Sequence, residues 1–198
     1  MKKALLANLT HENVVDRIEA LFAVIMTSSY LGEPVTIGEH MLQAAACARR
    51  DGADDALVAA ALLHDVGYYV DAAPDNENEL IPDKRHDRAG ARALAPFFSE
   101  AVTEPIRLHA DAKRYLCAVE PDYRDKLSDA SIHTMALQGG VMDADEAERF
   151  AKGGFATEAV AMRRWDDEGK VAGAEVPPFD AFKAMLARLV AEASASSN

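Results

Sequence analysis

Four histidines recur through the chain at nearly equal intervals: His40, His64, His86 and His109, separated by 24, 22 and 23 residues. Each gap is about one helix plus one turn. Successive antiparallel helices would then each deliver one imidazole to a common centre inside a bundle. Any one of them alone reads as an ordinary surface or core histidine. Four with the same spacing, one of them inside a His-Asp pair, constrain the fold to something helical that converges on a point. His11 and His133 lack this spacing and are read as non-ligands, at the surface or behind the site.

The apolar residues agree. They recur at three and four throughout, and no segment alternates with period two, so the chain is all-α. Thr10 is expected to open a first helix carrying Val14, Ile18, Leu21, Phe22 and Ile25. Thr36 and Glu39 form a capping box for a second, which stops near Gly52. Asp54 or Asp55 starts an Ala-rich third helix ending at His64-Asp65-Val66-Gly67. A fourth is expected over Arg85 to Phe98. Ser99 caps a fifth that should kink or restart at Pro105. Shorter helices follow Pro121 and Ser128, Asp143 caps another, and Phe155 to Asp167 runs to a stop at Gly169. The last is amphipathic, with Phe182, Met185, Leu186 and Leu189 inward, and Ser194 to Asn198 reads as a frayed tail. Residues 71–83 form an acidic, proline-containing loop long enough to be a functional cover. At 198 residues, with no repeat and no clear boundary, one domain over 1–198 is expected.

The net charge of −12 argues against a nucleic-acid partner, which needs a basic face. It leaves a small anionic substrate open, because a bound metal pair supplies several positive charges locally. No apolar run approaches the length of a membrane span, and the start of the chain is too weakly apolar for a secretory signal. Cys47 and Cys117 are far apart in sequence, which suits reduced thiols in the cytoplasm.

His64-Asp65 is the sharpest local feature. The segment before it, LVAAALL, is wholly apolar, so the helix carrying the pair is buried. A buried ionised aspartate costs several kcal/mol unless it is paired or bound to a cation. Adjacent helical residues point about 100° apart, so the two cannot clamp one metal together. The imidazole can instead serve one metal while the carboxylate bridges to a second.

The constellation His40…His64-Asp65…Asp166 resembles the HD-domain superfamily, and the extra His86 and His109 resemble its dinuclear subset. Further motifs narrow the likeness: Tyr30-Leu31-Gly32-Glu33, His109-Ala-Asp-Ala-Lys113-Arg-Tyr115, Leu127-Ser-Asp-Ala-Ser131, Leu137-Gln-Gly-Gly140 and Arg163-Arg-Trp-Asp166-Asp-Glu-Gly-Lys170. Together they are similar to the mixed-valent di-iron oxygenases that cleave the carbon–phosphorus bond of 2-amino-1-hydroxyethylphosphonate. The resemblance implies an HD-domain helical bundle with a metal centre in its core. It implies two irons as an Fe(II)/Fe(III) pair, with His40, His64 and Asp166 on one, His86 and His109 on the other, and Asp65 bridging. O₂ would be co-substrate. Tyr30 would occupy the second iron until substrate displaces it, and Glu33 would meet the substrate's nitrogen. Lys113, Ser131 and Arg163 would take the phosphonate.

Read without the resemblance, these residues admit plainer roles. Asp166 can be surface charge at a helix end, and Lys113 and Arg163 can be solvated cations. Lys113 does share a helical face with His109, and Arg163 with Asp166, so each could reach a ligand at the metals. Tyr30 to Pro34 can be an ordinary turn. The chain departs from the family at Tyr68: relatives acting on the free amine have histidine there, whereas this sequence reads HDVGYY. Tyr68 or Tyr69, with Glu33, could form a partial cage for a quaternary ammonium, or could simply close the helix end. The favoured expectation is oxygenation of 1-hydroxy-2-(trimethylamino)ethylphosphonate to glycine betaine and phosphate, with an upstream hydroxylase supplying the substrate. The alternatives are the same reaction on the primary amine, an HD phosphohydrolase, a regulatory domain without turnover, and a polyol oxygenase.

Overall fold

The computed structural model describes residues 6, 8–30, 32–70 and 85–196. Among these, nine α-helices account for the architecture and no strand occurs: α1 Val14–Ile25, α2 Ile37–Arg50, α3 Asp55–Leu63, α4 His86–Leu94, α5 Glu100–Val119, α6 Asp129–Leu137, α7 Ala144–Ala151, α8 Ala156–Glu168 and α9 Asp180–Ser196. The expected acidic loop at 71–83 and Leu31 lie outside the described residues.

Local chemistry explains most helix ends. Thr36 Oγ1 accepts from the Glu39 amide at 3.1 Å while Glu39 bonds back to the Thr36 amide at 2.8 Å, so the capping box forms as read. Asp54 and Ser128 cap α3 and α6 through their side chains, and Asp143 makes a second capping box with Glu146.

Several boundaries differ from the expectations. Thr10 begins a turn rather than the helix, because Asn13 Oδ1 takes the Thr10 amide and the helix starts at Val14. The fourth helix stops at Leu94, and residues 95–98 turn on backbone bonds to Leu94. Pro105 neither ends nor restarts α5, which is continuous from Glu100 to Val119 with the proline at its sixth position. The C-terminal segment is not frayed through Ser196, since α9 includes Ser194 to Ser196. Val190 is buried on the same face, against which Leu189 packs partly buried.

The core lies where α2, α3, α5 and α8 meet, with α4 against α5, and α1 and α9 outside α2 and α3. Helix α3 is buried along its length from Val58 to Leu63, as its apolar run requires. A 3₁₀ turn, Val66–Tyr69, follows it and packs on α4. That contact depends on Gly67: a Cβ there would lie 1.8 Å from the carbonyl oxygen of His86. The close approach draws the start of α4 against the end of α3.

We expect Gly67→Ala to destabilise the protein by about 1–3 kcal/mol through this backbone clash. Gly154→Ala, at a position open to solvent, serves as the neutral control. Thermal unfolding of both variants measures the difference.

Candidate metal centre and substrate pocket

Helix ends and helix faces bring the four spaced histidines to one centre. His40 sits in the first turn of α2, His64 follows the last residue of α3, His86 opens α4, and His109 lies mid-way along α5. All four are buried, as are Asp65 and Asp166. His40 Nε2 and His64 Nε2 face each other at 3.0 Å, and His86 Nε2 and His109 Nε2 at 2.9 Å.

The other ring nitrogens explain what those facing atoms are. His40 Nδ1 is 2.9 Å from the Gly169 carbonyl, His64 Nδ1 is 2.8 Å from Ala61, and His109 Nδ1 is 2.7 Å from Ile106. A carbonyl only accepts, so each Nδ1 carries the hydrogen and donates. Burial holds His64 below the ordinary imidazole value, and pushes His109 down to about 4. Neutral rings protonated at Nδ1 carry a lone pair at Nε2. Where both rings of a pair donate through Nδ1, as at His40 and His64, the Nε2 lone pairs point at one another and repel unless a cation lies between them. The Gly169 contact is itself sterically specific, since a Cβ there would meet the His40 carbonyl at 3.0 Å.

Asp65 links the two imidazole pairs. Its Oδ2 lies 3.8 Å from His40 Nε2 and 3.6 Å from His64 Nε2. Its Oδ1 lies 3.3 Å from His86 Nε2 and 4.0 Å from His109 Nε2. Asp166 Oδ1 approaches His40 Nε2 at 3.3 Å. Burial opposes ionisation of both carboxyls. The imidazoles around Asp65 outweigh it, and the Arg163 guanidinium outweighs it for Asp166, so both stay below the usual carboxylate range. Yet Asp65 Oδ2 and Asp166 Oδ1 are buried acceptors without a hydrogen bond. Each such atom costs about 1–3 kcal/mol, more when charged. Orphaned oxygens beside facing lone pairs are the donor set of a metal site. His40, His64 and Asp65 could hold one ion and Asp65, His86 and His109 a second, with Asp65 common to both.

A small cavity opens beside this centre, lined by Tyr30, Glu33, Tyr68, Lys113, Ser131, Arg163 and Lys170 among others. The expected anion-binding residues therefore converge, and none is solvated: Lys113 is 3% exposed and Arg163 3%. Lys113 Nζ donates to Thr134 Oγ1 at 2.9 Å, and Arg163 reaches Asp166 at 2.6 Å and Ser131 Oγ at 3.4 Å. Tyr30 stacks on His40 with ring centroids 4.5 Å apart. Burial, then Asp65 and Asp166, raise its hydroxyl well above the ordinary phenol value. Tyr68 stacks on His86 at 4.1 Å and lines the cavity, while Tyr69 does not reach it. The cage reading therefore survives for Tyr68 only. His11 and His133 are exposed, with His11 edge-on to Phe97.

Sequence reasoning missed four contributors. Lys170 pairs with Glu33 at 3.2 Å, Thr134 receives Lys113, and Tyr123 and Asp167 brace Arg163. Only Lys170 and Asp167 carried a signal, as members of the Arg163–Lys170 motif.

The sequence matches the family model described as the HD domain over residues 37–148, which span His40 to His109 and the pocket's Ser131. The chain belongs to the HD-domain family. Over 190 residues, 96% of this chain and 97% of the relative, it is 40% identical to the glycine-betaine-forming 1-hydroxy-2-(trimethylamino)ethylphosphonate dioxygenase of Leisingera caerulea. Over 170 residues, 84% of this chain and 85% of the relative, it is 44% identical to hydroxymethylphosphonate dioxygenase of Gimesia maris. No helix among the described residues of this HD-domain chain is long and apolar enough to cross a membrane.

Two metal ions per chain are expected after iron supplementation. His86→Ala and His109→Ala should each bring the content toward one, and Asp65→Ala, which affects both groups, below that of either. Metal analysis that gives one ion in the parent protein and in all three variants would contradict this.

Proposed function

We propose that this protein is a di-iron oxygenase that cleaves the carbon–phosphorus bond of 1-hydroxy-2-(trimethylamino)ethylphosphonate with O₂, giving glycine betaine and phosphate. The observation that carries the reading is that three buried or half-buried cations, Lys113, Arg163 and Lys170, open onto the same cavity as the metal-facing groups. Relatives of high coverage named as phosphonate dioxygenases support it. In this reading His40, His64 and Asp166 would hold one iron and His86 and His109 the other, with Asp65 within reach of both ions of a mixed-valent pair. Imidazole and carboxylate ligands suit iron, and a bound pair would supply the electrons and the Lewis acidity that O₂ chemistry needs.

The chain's own residues do the positioning. Lys113, Ser131 and Arg163 bind the phosphonate through charge-assisted bonds, with Arg163 held in place by Asp166, Asp167 and Tyr123. Tyr30 covers the metal side of the cavity and moves aside for substrate. Glu33 and the face of Tyr68 receive the nitrogen cation, so that the C1–H bond is directed at the metal pair. One HD domain spans the chain and works in the cytoplasm, consistent with free thiols at Cys47 and Cys117. An upstream hydroxylase would install the C1 hydroxyl.

The test incubates iron-loaded protein with the trimethylated phosphonate and with its primary-amine counterpart, in air and without oxygen, following phosphate by phosphorus NMR. Oxygen-dependent phosphate release, faster from the trimethylated compound by about tenfold, is expected, and Tyr68→His should narrow the difference. Equal release without O₂, or release from a phosphoester instead, would make the protein a hydrolase. Lys113→Ala and Arg163→Ala should each raise KM about ten- to hundred-fold, the loss of one charge-assisted bond worth about 1.5–3 kcal/mol, with iron content retained.

A further inference from the structure

Glu33 is already partnered in the substrate-free structure. Lys170 Nζ lies 3.2 Å from Glu33 Oε1, and Ser128 Oγ donates to the same oxygen at 2.5 Å. Lys170 also donates to Ser131 Oγ at 3.1 Å, the hydroxyl that Arg163 approaches at 3.4 Å. The two charged side chains are nearly out of water, 12% exposed for Lys170 and 8% for Glu33. Lys170 thus touches both ends of the cavity: the carboxylate expected to meet a cation, and the hydroxyl expected to meet an anion. It follows Gly169, whose carbonyl holds His40, so its backbone is anchored beside the metal centre.

We infer that Lys170 is the resident counter-ion of Glu33 and determines specificity by exchange. A zwitterionic hydroxyphosphonate brings a nitrogen cation that replaces the lysine ammonium at Glu33. The ammonium, still tethered beside Ser131, turns to the phosphonate. Every charge is paired before and after, and no covalent bond changes. A phosphonate without a cation has no such exchange available. To take Lys170 it must strip Glu33 of its partner and leave a carboxylate uncompensated beside the bound dianion, an arrangement that low-dielectric surroundings penalise heavily. This inference rests on the phosphonate reading above and adds that Glu33 makes the demand for a zwitterion, while Lys170 keeps that carboxylate compensated until the substrate's cation replaces it.

The experiment measures anaerobic binding by calorimetry to the iron-loaded protein, and kcat/KM in air, for 1-hydroxy-2-(trimethylamino)ethylphosphonate and for hydroxymethylphosphonate. Lys170→Met should weaken hydroxymethylphosphonate about tenfold or more beyond its effect on the zwitterion, because Glu33 then repels the anion unopposed. Glu33→Gln should act oppositely, tightening hydroxymethylphosphonate and weakening the zwitterion, and in the double variant it should restore much of the lost hydroxymethylphosphonate affinity. Glu33→Gln alone decides the matter if Lys170→Met fails to fold. Equal losses for both ligands in Lys170→Met, with no rescue by Glu33→Gln, would show that Lys170 only packs. Parent protein that binds neither phosphonate would instead overturn the phosphonate reading, and the exchange with it.

Discussion

Two imidazole pairs face each other through Nε2 at 2.9–3.0 Å in a buried core, and most of this structure can be read as the means of holding them there. Three of the four rings donate Nδ1–H to carbonyls, of Gly169, Ala61 and Ile106, which sets both tautomer and ring plane. Among the described residues, Asp65 Oδ2 and Asp166 Oδ1 receive no hydrogen bond. A protein folded this way without metal carries unsatisfied buried acceptors at its centre, so metal binding and stability are expected to be linked. The small residues serve the same end. Gly67 lets α4 reach α3, and Gly169 lets the end of α8 reach α2.

Around that centre the charges are arranged by distance from it. Asp65 lies between the imidazole pairs, Asp166 approaches His40 and His64, and Arg163 compensates Asp166 while pointing into the cavity. Arg163 is in turn braced by Asp167 and Tyr123, so its guanidinium is directed rather than free. Lys113 and Lys170 complete a cationic wall that would attract a phosphonate, and Glu33 with Tyr68 offers the opposite chemistry to the other end of the same molecule. The net charge of −12 is irrelevant to this local field, which lies in a low-dielectric interior.

Much of this was legible in the sequence because helices convert spacing into direction. The intervals of 24, 22 and 23 between histidines correspond to helix-plus-turn units, and the capping boxes at Thr36 and Asp143 are local hydrogen-bond patterns. Lys113 and Arg163 are marked by the family resemblance; a face shared with His109 and Asp166 is compatible with that role but by itself favours solvated cations. What stayed hidden depends on contacts distant in sequence. Ser128 meets Glu33 across 95 residues and Tyr123 meets Asp167 across 44, and no periodicity encodes such pairs. Tyr68 and Tyr69 are adjacent in sequence, yet only the former lines the cavity, because neighbouring residues of a helical turn point in different directions. The expected restart at Pro105 does not occur, since α5 runs through it as one helix.

The central claim is that the paired imidazoles are two halves of one dinuclear centre bridged by Asp65. Anomalous diffraction at the iron edge from crystals of iron-loaded protein tests it most directly. The account predicts two peaks, one among His40, His64 and Asp166 and one between His86 and His109, with an Asp65 oxygen toward each. A single peak, or paired imidazoles joined by water alone with Asp65 turned away, would contradict it.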